Sequence, residues 1–240
     1  MDFAYITNAG TQAGNEDSFA LSENEKGSLF VVADGLGGHG KGEVASAIAS
    51  SAIKEYFEKS GADARSFLPE AFSEAQSRVL DGQKALNSPF DMKTTCTALL
   101  IADGICRICH IGDTRAYVFH RNKVKTRTLD HSVPQMLVAS GELKEKHIRA
   151  HPDRNRLLRV LGVGWEAPQY ELSKDIPLSE CQAFLLCTDG FWELCGEKTM
   201  CAFLKRSANA SGWLSLMEDE VKKNGKGTNM DNYTAVAVIC

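Results

Sequence analysis

Residues 29–46 set the tightest limits on what this chain can fold into. Leu29, Phe30, Val31, Val32 and Ala33 form an apolar run rich in β-branching, the pattern of a buried strand. That strand delivers one carboxylate, Asp34, into a segment with glycine at positions 35, 37, 38, 40 and 42. Such a segment lets its backbone approach a charged ligand closely. From about Gly42 onward, Val44, Ile48, Ala52 and Tyr56 recur at four-residue spacing beside a second column, Ala45, Ala49, Ile53 and Phe57. This predicts a helix with a broad apolar face. Strand, carboxylate, glycine loop and helix start together predict an ion-binding site.

The rest of the chain alternates between the two periodicities. Short strands are predicted at 3–6 and 17–21, around a turn at Ala9-Gly10. After a turn near Gly61, a second amphipathic helix carries Leu68, Phe72, Ala75 and Val79 and is stopped by Asn87-Ser88-Pro89. Strand patterns follow at 94–101, 105–111, 115–120 and 123–129, with hairpin turns at Asp103-Gly104 and Arg121-Asn122. Residues 132–160 are polar and broken by Gly141 and Pro152, which predicts short surface helices. A strand at 183–187, helices near 197–206 and 212–222, and a last strand at 233–239 complete the series. Strand clusters with consecutive hairpins, interleaved with long amphipathic helices, predict an α+β layered protein with antiparallel sheets.

No repeat or linker divides the 240 residues, so one domain spanning 1–240 is expected. A net charge of −4 without a basic stripe argues against nucleic acid as a partner. No apolar run reaches the ~18 residues of a membrane span, and the N-terminus lacks a signal pattern. The chain ends at Cys240, just past the last strand, so no appended anchor is expected. The eight cysteines fall mostly in apolar runs and read as reduced core side chains of a cytoplasmic protein. Cys106 and Cys109 have metal-site spacing, yet three steps along a strand put them on opposite faces.

The chemistry lies in where the acids fall. Asp17, Asp34, Asp113, Asp189 and Asp231 all sit at predicted strand ends. Taken singly, each is an ordinary turn or cap residue. Taken together, they are carboxylates that the folded strands would bring to one place, where they must be protonated or hold metal. Oxygen ligands without a His/Cys cluster select Mg²⁺ or Mn²⁺ over zinc.

Asn15-Glu16-Asp17, Asp34-Gly35-Leu36-Gly37-Gly38-His39, Thr94-Thr95, Gly112-Asp113-Thr114-Arg115, Asp130-His131-Ser132, Cys187-Thr188-Asp189-Gly190 and Asp231-Asn232-Tyr233-Thr234 occur in that order. The series resembles the PPM family, the type 2C metal-dependent Ser/Thr protein phosphatases, in compact bacterial-type form, over essentially the whole chain. The resemblance implies a four-layer α-β-β-α sandwich of two antiparallel sheets flanked by helices. It also implies two Mn²⁺ or Mg²⁺ ions at one end, with a third, weaker ion. In that scheme Asp34 bridges the two metals, the Gly35 carbonyl ligates one, and Asp189 and Asp231 hold the other. Asp17 and Glu16 act through waters or in support, and Asp113 with Asp189 takes the third ion. A metal-activated water would attack phosphoserine or phosphothreonine, with His39 as the candidate proton donor. Residues 133–165 match a flap bordering the site. His110 reads as packing and His131 as an anchor of the flap's base.

Two positions depart from the family pattern. Gln12 stands where an arginine usually grips the substrate phosphate, so a charge-assisted contact is lost. Lys41 and Arg159 are candidate substitutes. Lys93 replaces a glycine before the Thr-Thr pair and reads as an exposed strand residue. The resemblance implies phosphorylated protein substrates, a cognate Ser/Thr kinase to oppose, and a monomer. Gln12 leaves one competing reading, a pseudophosphatase that binds phosphoproteins without efficient turnover.

Overall fold

The computed structural model describes residues 1–37, 41–59, 66–88 and 90–240. Three strands come first: β1 (Asp2–Asn8), β2 (Asp17–Asn24) and β3 (Gly27–Leu36). Helices α1 (Lys41–Lys59) and α2 (Phe67–Ala85) follow. Then come β4 (Lys93–Thr94), β5 (Cys96–Ala102), β6 (Ile105–Ile111), β7 (Arg115–His120) and β8 (Lys123–Arg127). The polar segment holds α3 (Val133–Ala139) and a 3-10 turn (Glu145–Ala150), then the short strands β9 (Glu171–Leu172) and β10 (Ile176–Pro177). The chain closes with β11 (Ala183–Cys187), α4 (Asp189–Trp192), α5 (Glu197–Arg206), α6 (Ala210–Gly225) and β12 (Tyr233–Ile239).

The strands form two antiparallel sheets, ordered β1-β12-β11-β7-β8 and β10-β6-β5-β3-β2, with β4 on β3 and β9 on β6. Alternation along each strand explains the layering. In β3, Leu29, Val31 and Ala33 pack under Ala45, Ala49, Ile53 and Phe57 of α1 and Leu68, Phe72 and Val79 of α2. Phe30 and Val32 point the other way, into a layer shared with Val118, Phe184, Leu186 and Val236 of the second sheet. The outer face of that second sheet is covered by Trp213, Met217 and Val221 of α6. The result is the expected α-β-β-α sandwich. Cys106 lies between the sheets and Cys109 on the helix side, opposite faces as their spacing requires, and all eight cysteines are unpaired.

Both hairpin turns form as the sequence predicts, with Asp103, Gly104, Arg121 and Asn122 all at positive φ. Four details differ from expectation. The central strand does not end at Asp34 but runs on through Gly35 to Leu36. The strand expected at 94–101 is interrupted at Thr95: its N–H still donates to the carbonyl of Asp34 opposite at 2.9 Å, but the Asp34 N–H goes to Thr95 Oγ1 and not to the Thr95 carbonyl. The strand at 123–129 stops at Arg127, and β9 and β10 are too short to show any period. Lys93 is half-buried rather than exposed, because β4 pairs with Leu36 and the 157–167 segment lies over it. The turns expected near Gly61 and at Pro89 fall outside the described residues. Among the described residues, no helix is long and apolar enough to cross a membrane.

Topology alone gathers the acids. Antiparallel pairing puts the start of β2 beside the end of β3, with Asp17 opposite Asp34. The end of β6 returns to the same edge as the end of β3, since Cys96 pairs with Ile111. In the facing sheet, Cys187 at the end of β11 pairs with Arg115 at the start of β7 and Ala235 near the start of β12. Asp113, Asp189 and Asp231 flank those three ends.

Candidate metal centre

The backbone around Asp34 is held from two sides. Thr94 Oγ1 donates to the Asp34 carbonyl at 2.8 Å, and the Asp34 N–H donates to Thr95 Oγ1 at 3.1 Å. The start of α1 packs directly onto the strand. A Cβ at position 35 would run into the carbonyls of Gly42 and Glu16, and one at position 42 would meet Glu16 Oε2 at 2.5 Å. Glycine at both positions is therefore a condition of that close approach. Ser46 of α1 adds a hydrogen bond from Oγ to the Glu16 carbonyl at 2.6 Å.

The two sheets meet at Asp17. Thr188, immediately before α4, donates Oγ1 to Asp17 Oδ2 at 2.9 Å, while Asp17 Oδ1 is buried with no hydrogen-bond partner. Asn232 ties the neighbouring loop. Its Oδ1 accepts the Glu16 N–H at 2.7 Å, and its Nδ2 donates to the carbonyls of Ala9 and Gly14 at 3.0 and 2.9 Å. Thr188 and Asn232 stand beside acids in the sequence, but only the structure shows what they hold.

The electrostatics reflect how these acids act on one another. Burial pushes the Asp34 carboxyl well above its usual range, and the charges of Asp17, Asp189, Asp113 and Asp231 push it further. Burial, with Asp189 and Asp231, lifts Asp17 to about 7, against the hydrogen bond from Thr188. Burial, then Asp231 and Glu193, lifts Asp189 to about 7 as well, and its carboxyl shares a hydrogen bond with Asp34. Asp113 is raised by burial, Asp189 and Asp130. Glu16 is raised by burial, Asp231 and Glu43. Asp231 is exposed at the rim, with its Oδ1 accepting the Asn232 N–H at 2.8 Å. Carboxylates crowded this way are costly unless something positive neutralises them. The buried Asp17 Oδ1 without a hydrogen-bond partner fits a cation, and the all-oxygen donor set fits a hard divalent ion.

The other expected residues are placed unevenly. Gln12 lies beside the acids, with its Nε2 donating to the Met230 carbonyl at 3.1 Å next to Asp231. Lys41 opens α1 next to Gly42. Arg159 is exposed and lines a groove of about 760 Å³ with Leu36, Lys93, Leu158 and Trp165. His39 lies outside the described residues.

His131 is an anchor, as expected. Its N–H and carbonyl bind Gly112 and Leu158, and its ring stacks on His110 at 4.7 Å between centroids. With Glu171, these two histidines form the one group of His, Cys, Asp or Glu among the described residues whose ligand atoms all lie within 4.8 Å of one another. Yet His131 Nδ1 accepts the Gly112 N–H at 3.2 Å. The neutral ring must then carry its proton on Nε2, which leaves no lone pair there for a metal.

A protein-family profile described as Protein phosphatase 2C matches residues 7–223. The chain is 30% identical over 233 residues to the serine/threonine phosphatase stp of Listeria welshimeri, covering 93% of this chain and 89% of that one. It is 28% identical over 229 residues to the serine/threonine protein phosphatase PstP of Mycobacterium tuberculosis, covering 94% of this chain and 42% of PstP. A crystal structure of the Mycobacterium tuberculosis phosphatase PstP/Ppp has a TM-score of 0.84 at 26% identity, over 99% of this chain and 97% of that one. The catalytic domain of PstP in complex with two manganese ions has a TM-score of 0.80 at 25% identity, over 99% and 96% of the two chains.

Proposed function

The chain belongs to the protein phosphatase 2C family, and from that premise we propose how its residues act as a metal-dependent serine/threonine protein phosphatase. The observation that carries the reading is the meeting of Asp17, Asp34, Asp113, Asp189 and Asp231 from both sheets at one edge of the sandwich. Asp34, the Gly35 carbonyl, Asp189 and Asp231 would hold two Mn²⁺ or Mg²⁺ ions, and Asp113 with Asp189 a third. Such ions, when bound, lower the pKa of water towards neutrality and neutralise charge on phosphate oxygens.

The protein's own part is positioning. Thr188 occupies Asp17 Oδ2 and so leaves Oδ1 for a cation. Thr94 and Thr95 fix the Asp34 backbone, and Asn232 fixes the Glu16 loop. The groove beside Leu36 gives a phosphopeptide a path to the acids, with Arg159 and Lys93 along it. Segment 133–165 borders that path as a flap on the single catalytic unit 1–240. His39 is the proposed donor to the leaving seryl or threonyl oxygen. The eight unpaired thiols support a reducing, cytoplasmic setting, in which the enzyme would oppose a Ser/Thr kinase.

Turnover of p-nitrophenyl phosphate and a phosphothreonine peptide is expected with Mn²⁺ and lost with a chelator. Mn²⁺ binding with no turnover of either would overturn the assignment. A second expectation concerns Gln12, which offers phosphate a hydrogen bond without charge. Gln12→Arg should lower the KM for the phosphopeptide by roughly 3–10-fold, the difference between a neutral and a charge-assisted contact. An unchanged KM would mean that phosphate is gripped elsewhere.

A further inference from the structure

We infer that Trp192 is a positioning residue for Asp113: its indole N–H latches the β6–β7 turn to α4, and so holds the Asp113 and Asp189 carboxylates together against their repulsion. The inference rests on reading those two acids as ligands of a divalent cation.

Helix α4 is one turn long, with Asp189 at its first position and Trp192 at its last. Trp192 Nε1–H donates to the Asp113 backbone carbonyl at 3.0 Å, and both residues are buried. One hydrogen bond thus joins the two elements that carry acids of like charge. The acids oppose the arrangement, because the bond ties together two elements that each carry a carboxylate of the same charge.

The indole is itself clamped. The Arg115 guanidinium lies 3.5 Å from the ring centre, and Arg149 lies at 5.3 Å. Arg115 in turn grips Asp130 through two bonds of 2.7 and 2.6 Å, between side chains only 3% and 1% exposed. Four other polar groups of the turn have their own partners. Gly112 exchanges its N–H and carbonyl with His131. Thr114 bonds Thr95 through its hydroxyl and Thr97 through its carbonyl. Gly112 holds φ at +98°, where a Cβ would meet Thr95 at 2.5 Å. In this frame the Asp113 carbonyl is the point where α4 takes hold, and a lost donor would leave a buried acceptor unsatisfied.

A buried tryptophan with a satisfied N–H is common in cores, so the test must read the cation and not only the fold. Trp192→Phe removes the N–H and keeps an aromatic face under Arg115. Mn²⁺ alone is titrated calorimetrically into wild type, Trp192→Phe, Asp113→Asn and the double variant, each freed of metal. The expected result is a weaker Mn²⁺ phase whose dissociation constant rises about 5–10-fold in Trp192→Phe, the size of one buried hydrogen bond. The tighter phase should be unchanged. Asp113→Asn should abolish the weaker phase, and the double variant should then match Asp113→Asn alone. Arg115→Lys, which keeps the charge but loses the flat stack, should weaken the same phase and stands in if Trp192→Phe does not fold. An unaltered weaker phase in the folded variants, or an equal change in both phases, overturns the latch. Survival of the weaker phase in Asp113→Asn would instead overturn the ligand reading beneath it.

Discussion

Replacing Asp34 with asparagine is expected to lower turnover by about 10³-fold while raising the melting temperature of the metal-free protein at neutral pH. The two effects share one cause. Asp34 sits opposite Asp17 across the β2–β3 pair, and its charge is opposed by Asp17, Asp189, Asp113 and Asp231. In the active protein that concentration of negative charge is what attracts divalent cations. In the metal-free protein it is repulsion, and asparagine relieves it while keeping the side chain's shape. A gain of about 1–2 kcal/mol corresponds to roughly 2–8 °C for a chain of this size. Steady-state assays at saturating Mn²⁺ and calorimetric melts in chelator check the two halves. Activity within tenfold of wild type would remove Asp34 from the centre of the site, and a lowered metal-free melting temperature would show that the carboxylate is structural.

The second large effect is the dependence of cation stabilisation on pH. Asp17 and Asp189 stand at about 7 in the folded protein against an ordinary 3.8. Their folded-state pKa is raised, so the folded protein binds more protons than the unfolded chain between about pH 4 and pH 7. Their contribution to stability is full below about pH 4 and is lost as pH rises through about 7. His131 works in the opposite direction. Burial, with His110 and Arg159, lowers it to about 3, and His110 is also lowered by burial. Their contribution is full at neutral pH and is lost as pH falls below about 6.5. The raw stability profile therefore mixes two opposed trends. The shift on adding Mn²⁺ isolates the acids, because the ion must displace their protons while the histidines are alike in both samples. At pH 7.5 and about 100 times the dissociation constant, Mn²⁺ should add ~2.7 kcal/mol, or roughly 5–10 °C. At pH 5, the same total Mn²⁺ should add far less. Equal shifts at the two pH values would mean that these carboxyls are not where the cation binds.

The hydrophobic period reached the ends of several elements. The strands at 105–111, 115–120, 183–187 and 233–239 and the helix at 197–206 are bounded in the structure as their patterns predict. Each is a half- or fully buried segment whose alternation or apolar stripe is set by the layer it faces. Thr95 shows where that logic stops. Nothing in a Lys-Thr-Thr-Cys run says that one threonine puts its hydroxyl, in place of its carbonyl, under the Asp34 N–H, since the reason is a partner 61 positions away. The strands at 171–172 and 176–177 were illegible for a different reason: two residues have no period to read. Among the site residues, the acids were legible because a carboxylate at a strand end is a local signature. Arg159 was legible only as a charge, because sequence does not show the groove that it lines.

What the sequence determined by itself was the set of elements and the chemistry of their ends: two antiparallel layers under helices, with acids at the turns. Only the tertiary structure decided which polar groups hold those acids in place, as Thr188 does for Asp17 and Trp192 for Asp113. Secondary structure depends on neighbours a few residues apart, and so it leaves a trace in the order of side chains. A hydrogen bond across 79 or 171 positions depends on how the layers pack, and it leaves none.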